Sequence, residues 1–141
     1  MDLINKNSAP NIYHQYIDYQ DTDAGGVVYH SNYINFAERA RGKLFRELVA
    51  NKMLNDYLWV VKSLKVDFLA PAKLGDFVTL KTLVLDIKNC SITFLQNVFV
   101  KDKLIVSMII QIVSLDHDFK ITKFADEIKT KLINYKAGEN Y

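Results

Sequence analysis

A lone cysteine, Cys90, leaves the chain without an intrachain disulfide, so stability has to come from packing. Two prolines and five glycines in 141 residues are too few for an extended, linker-like or disordered chain. No block of like charge is present. The 18 basic and 16 acidic side chains are interspersed and leave a formal +2, which offers no basic track for a phosphate backbone and excludes nucleic acid as the expected partner. The longest apolar run, residues 104–115, is interrupted by Ser107 and Gln111 and falls short of the roughly 18 residues that a membrane-spanning helix needs. The opening MDLINKNSAP has neither a basic start nor an apolar stretch of the signal-peptide kind. With the unpaired thiol, this sets the expectation of a cytoplasmic protein.

Half of the residues are apolar, enough for one core, and the length fits a single domain over residues 1–141. After a polar lead, residues 12–19 are rich in β-branched and aromatic side chains and predict a strand, followed by a turn-forming cluster over residues 20–26. From Ser31 the period changes. Tyr33, Ala37, Ala40, Leu44 and Leu48 recur at steps of three and four, with Phe36 and Phe45 widening the stripe, which predicts an amphipathic helix. Ser31 is the expected N-cap, and Arg39, Arg41, Lys43 and Arg46 are expected on the solvent side. Gly42, unfavourable by about 1 kcal/mol in a helix interior, suggests close packing.

Beyond a variable stretch at residues 51–56, β-formers over 59–69 predict a second strand that ends at Pro71 and Gly75. Three more runs, 77–87, 91–100 and 104–115, are separated by connectors short enough for hairpins. In the last run Leu104, Val106, Met108, Ile110 and Ile112 share one face, and Ile105, Ser107, Ile109, Gln111 and Val113 the other. A short helix is expected within residues 124–135. One early helix and long hairpin-linked strands predict an α+β fold in which the helix covers a broad antiparallel sheet of about five or six strands.

The chemistry is concentrated in residues 21–33, where a carboxylate sits on a glycine-containing loop just ahead of a helix start. Unpaired N–H groups at a helix start, with a macrodipole end of about half an elementary charge, can polarise a carbonyl and stabilise an oxyanion. An ionised aspartate beside it can attack the carbonyl carbon or take a proton from water, and spacing alone leaves both roles open. Asp23 also suits the plain role of capping a turn ahead of glycines.

The segment DTDAGGVVYHSNYINFAERAR, residues 21–41, resembles the signature of the 4-hydroxybenzoyl-CoA thioesterase family, in particular its Tol–Pal-associated, YbgC-type branch of acyl-CoA thioesterases. The likeness extends through LKVDFLAPAKLGD, residues 64–76, and then through the order of the strands. It implies the hotdog fold, a long helix wrapped by an antiparallel sheet, with copies joined edge to edge in a dimer or a dimer-of-dimers tetramer. It implies acyl-CoA as substrate, with coenzyme A released rather than kept as a cofactor, and admits acyl carrier protein as a partner. Asp23 takes the family's catalytic carboxylate position, and His30 the position whose backbone N–H polarises the thioester carbonyl. Gly26, Val27, Tyr29 and Tyr33 are the residues expected to meet substrate.

Other readings of the same residues are weaker. Asp21 with Asp23 resembles a metal clamp, but no His or Glu stands at ligand spacing, so no metal is expected and Asp21 is assigned to the solvated loop. Gly25 and Gly26 lack the following Gly-Lys-Ser/Thr of a phosphate loop and are expected instead to permit positive φ. Glu38 is expected as a surface ion-pair partner. His14, His117 and Cys90 form no constellation. A hydratase would need a paired His and Asp that the loop does not supply. A non-catalytic module binding acyl-CoA or acyl carrier protein is the alternative from another class.

Overall fold

The computed structural model describes residues 9–50 and 55–138. Most of the polar lead and residues 51–54 of the variable stretch therefore lie outside the described residues. Strand β1 (Asn11–Tyr16) is followed by a 3-10 turn (Tyr19–Asp21), helix α1 (Asn32–Leu48), strands β2 (Leu58–Phe68), β3 (Phe77–Ile87), β4 (Ser91–Val100) and β5 (Lys103–Leu115), and a short helix α2 (Asp126–Leu132). The five strands form one antiparallel sheet in the order β1-β3-β4-β5-β2. A long helix cradled by this sheet is the hotdog arrangement that the resemblance implies.

The consecutive strands β3, β4 and β5 pair as a meander because their connectors are too short for a crossover. Register shifts at Val61/Ser63, Val84/Asp86 and Val98/Phe99 each insert an irregularity that bends the sheet around the helix. Along β5 the even-numbered Val106, Met108, Ile110 and Ile112 are buried, as the alternation predicts. Ile105, on the other face, is buried too, where the chain after β2 returns and both Leu69 and Ala70 donate to its carbonyl.

The apolar stripe of α1 meets the sheet's concave face, and Phe36, Ala37, Ala40 and Leu44 share one core with Val78, Leu80, Val98 and Met108. Its carboxyl-terminal end is fixed by aromatic contacts, Phe45 lying 5.1 Å from Trp59 and Trp59 5.3 Å from Phe124 between ring centroids.

The expected solvent side of α1 requires a correction: Arg39 and Arg46 are exposed and Lys43 half-buried, but Arg41 is buried. Its Nη1 donates to Gln96 Oε1 at 2.9 Å, while Gln96 Nε2 donates to the Ala37 carbonyl and to Thr82 Oγ1. Burial holds the Arg41 guanidinium below its usual value, opposed by the nearby Glu38 charge. Glu38 itself is exposed and forms no ion pair among the described residues. Gly42 does not mark tight backbone packing either, since a Cβ there would meet only the mobile end of Arg46.

Candidate active site

The loop between β1 and α1 is built by backbone bonds rather than by apolar burial. Asp23 N–H donates to the Val27 carbonyl and Gly26 N–H to the Asp23 carbonyl, closing a small turn, and Thr22 bridges to Val28. Gly26 has φ of +78°, a conformation that costs glycine little and other residues more. Gly25 is not at positive φ, contrary to expectation. A Cβ there would come within 3.2 Å of Asp23 Oδ1, so the missing side chain lets the Gly25 N–H approach that oxygen at 2.8 Å. The loop is tied to the segment after β2 through Val28 N–H to the Ala72 carbonyl and Leu74 N–H to the Gly26 carbonyl.

Asp21 departs from the solvated role assigned to it. It is buried, its Oδ2 accepts from Asp18 N–H, and its carbonyl accepts from Tyr29 N–H and from Asn32 Nδ2. It therefore pins the loop to the first residue of α1. Ser31 likewise does not cap the helix through its hydroxyl. Its backbone is already helical, and the turn closes one step earlier through Asn32 N–H to the Tyr29 carbonyl at 2.8 Å.

This closure leaves the N–H groups of His30 and Ser31 without a backbone acceptor among the described residues. Beside them a cleft of about 340 Å³ is lined by Val28, His30, Tyr33, Phe68, Leu69 and Pro71. No acidic side chain lies in the first turn of α1 to quench the helix dipole. The cleft therefore lies beside a helix start whose first amides have no backbone acceptor among the described residues. Phe68 and Leu69 are exposed, as apolar walls of an open cleft are. They do not stand among the expected site residues, because their place in the wall depends on where β2 ends against α1.

The expected residues do not all converge. His30 and Tyr33 line the cleft. The His30 ring stands edge-on to Phe68 at 6.2 Å and tilted against Tyr29 at 4.5 Å, and Tyr29 is half-exposed. Gly26 and Val27 lie on the loop outside the cleft, their backbone groups engaged by Asp23 and Leu74, with Val27 bridged to Lys73. Asp23 is exposed in the single chain and is not part of the cleft wall. One carboxylate oxygen accepts from Gly25 N–H, and the other has no hydrogen bond among the described residues.

The Tyr33 hydroxyl oxygen accepts from the buried Ala72 N–H at 3.0 Å, and burial raises its ionisation above the usual phenol value. Tyr33→Phe keeps the ring but strands that N–H, so unfolding free energy in urea should fall by about 1–3 kcal/mol. An unchanged midpoint would show that water replaces the hydroxyl.

Among the described residues no three His, Cys, Asp or Glu side chains gather as they would around a metal ion, and no helix is long and apolar enough to cross a membrane. The model of the thioesterase superfamily matches residues 25–107, which include His30 and the cleft. The acyl-CoA thioesterase YbgC of Helicobacter pylori is 32% identical over 116 residues, covering 82% of this chain and 80% of that protein. The protein of the same name from Haemophilus influenzae is 33% identical over 123 residues, covering 84% and 90%. A 1,4-dihydroxy-2-naphthoyl-CoA thioesterase from Synechocystis has the same fold, with a TM-score of 0.77 at 17% identity over 87% of this chain and 95% of that one. A Staphylococcus aureus protein solved in complex with CoA superposes with a TM-score of 0.83 at 14% identity, covering 93% and 87%. On these matches the chain belongs to the thioesterase superfamily, in its YbgC-type branch, and so to the thioester hydrolases.

Proposed function

We propose that this chain hydrolyses an acyl-CoA thioester to the free acid and coenzyme A. The observation that carries the reading is the start of α1, where the His30 N–H has no backbone acceptor among the described residues and His30 lines an apolar cleft. In this reading the thioester carbonyl oxygen accepts from that amide, which lowers the energy of the tetrahedral oxyanion. The Asp23 carboxylate, through the oxygen not engaged by Gly25, either attacks the acyl carbon or takes a proton from an attacking water. The role needs the backbone of His30 and not its imidazole. The relatives named as acyl-CoA thioesterases support coenzyme A as the leaving group, and acyl carrier protein presents the same thioester.

The open cleft and the exposed Asp23 also support a second copy as part of the site. Strand β2 is eleven residues long, forms one edge of the sheet, and leaves Val61, Leu64 and Phe68 exposed. A long apolar edge is a liability until it is paired, and an edge-to-edge pairing of two copies covers it. A monomeric mass by light scattering would remove that part of the reading.

The engagement of one Asp23 oxygen by Gly25 favours the non-catalytic alternative, in which the loop is purely structural and the cleft only binds acyl-CoA or acyl carrier protein. Thiol release over short, long and aromatic acyl-CoAs separates the two. Turnover with at least one class is expected. Saturable binding with no thiol released over the whole panel would establish the alternative.

A further inference from the structure

A second cleft, of about 260 Å³, lies between the carboxyl-terminal half of α1 and the start of β2. Phe45 and Trp59 give it apolar walls together with Val61 of the β2 edge that a second copy would pair with, and Arg41, Arg46 and Glu38 bring charge to it. Arg41 is only 7% exposed and makes a single hydrogen bond, to Gln96, among the described residues. A guanidinium carries five N–H donors, and none of the remaining Arg41 nitrogens is fully enclosed without a partner. The surface that Arg41 retains therefore opens into this cleft. The enclosed Trp59 indole N–H also lacks an acceptor among the described residues. The Glu38 charge acts on Arg41 from a distance and makes no ion pair with it, so among the described residues no carboxylate hydrogen-bonds this cation.

Leaving a charge buried without a counter-ion is expensive, whereas the planar fork of an arginine matches a carboxylate through two parallel bonds. At about 260 Å³ the cleft is smaller than the roughly 300 Å³ at the low end of ordinary ligand pockets, so it suits one end of a molecule. It shares α1 and β2 with the thioester cleft. Tyr33 packs 6.0 Å from Phe68 at one end and Phe45 lies 5.1 Å from Trp59 at the other. Eleven residues separate His30 from Arg41, roughly 16 Å at the α-helical rise, and a long helical side chain leans back toward the amino end, so a medium-length acyl chain with a terminal carboxylate bridges the remainder.

We propose that Arg41 receives a carboxylate at the far end of the acyl group, which makes medium-length ω-carboxyacyl thioesters the preferred substrate class. This rests on the thioesterase reading above, with the acyl carbon at His30 and the chain running along α1 toward Arg41. Arg46 adds attraction at the mouth, and the exposed Glu38 works against it without pairing with Arg41.

The test has an arm that does not require turnover. Calorimetry of the intact protein should show octanedioic acid monoamide, whose amide stands in for the thioester end, binding at least about tenfold more tightly than octanamide, and the gap should narrow in Arg41→Lys, which keeps the charge and loses the fork. With octanedioyl-CoA and octanoyl-CoA as paired substrates, Arg41→Lys and Arg41→Met should lower the ratio of their kcat/KM values by about 10- to 100-fold, mostly through KM for the diacid thioester. Equal binding of the two amides by the native protein overturns the proposal. So does an equal loss on both thioesters, which is what a merely structural arginine gives. A change of oligomeric mass in the Arg41 variants also overturns it, because the guanidinium then answers to a second copy. Tighter monoamide binding without any thiol release would sink the hydrolytic reading and leave the carboxylate site standing.

Discussion

Asp23→Asn should lower kcat for thiol release by about 10²–10⁴-fold, the range associated with removing a positioned base, and by more if the carboxylate is the nucleophile. The substitution is chosen for what it preserves. An asparagine carbonyl still accepts the Gly25 N–H that Asp23 Oδ1 now accepts at 2.8 Å, so the turn is retained. The residue is exposed, and substitutions at such positions usually shift stability by no more than about 0.5 kcal/mol. The thermal midpoint should therefore hold while turnover collapses. Asp23→Ala removes both the charge and the turn bond, and comparing the two variants separates chemistry from loop geometry. If Asn retains activity within about tenfold of the native protein while Ala does not, the side chain serves the turn alone and the hydrolytic role of residue 23 is lost.

The limits of β3 and β4 were legible because short polar connectors punctuate strongly alternating runs, and the helix because its apolar stripe is long. Arg41 was misplaced by its charge rather than by its position. It stands four residues after Ala37, three before Leu44 and four before Phe45, all buried, so the 3.6-residue period puts it on the core face. Composition argued for solvent and geometry prevailed, because a facing Gln96 gives the guanidinium a partner that helix periodicity cannot reveal. The burial of Asp21 was illegible for another reason. The loop has no period, and the groups that hold this residue, Asp18, Tyr29 and Asn32, come together only once the chain turns back on itself. Within the candidate site the helix start and His30 could be found from spacing and resemblance. The walls at Phe68 and Leu69 depend on where β2 ends against α1, a tertiary fact.

The same buried network sets the largest stability effect expected outside the apolar core. Gln96, fully buried on β4, uses three of its four hydrogen-bonding positions, accepting from Arg41 Nη1 and donating to the Ala37 carbonyl and to Thr82 Oγ1. Gln96→Leu is close in volume, so cavity terms are small, but it removes all three bonds at once. The Ala37 carbonyl loses one of two acceptor sites, whereas Thr82 loses a partner in a region closed to water and the largely buried guanidinium loses its one side-chain partner beside the cleft. A hydrogen bond to a charged group contributes about 1.5–3 kcal/mol and a neutral one about 0.5–1.5, so a loss of roughly 3–5 kcal/mol is expected. Urea denaturation at constant slope gives the value. Arg41→Met on the Gln96→Leu background identifies the source. If the stranded charge dominates, the double variant should recover more than about 1 kcal/mol, as replacing a buried polar group together with its partner by apolar side chains often does. A single variant within about 1 kcal/mol of the native protein would mean that water reaches Arg41 through the cleft, and the guanidinium would then not depend on Gln96 for its place in the fold.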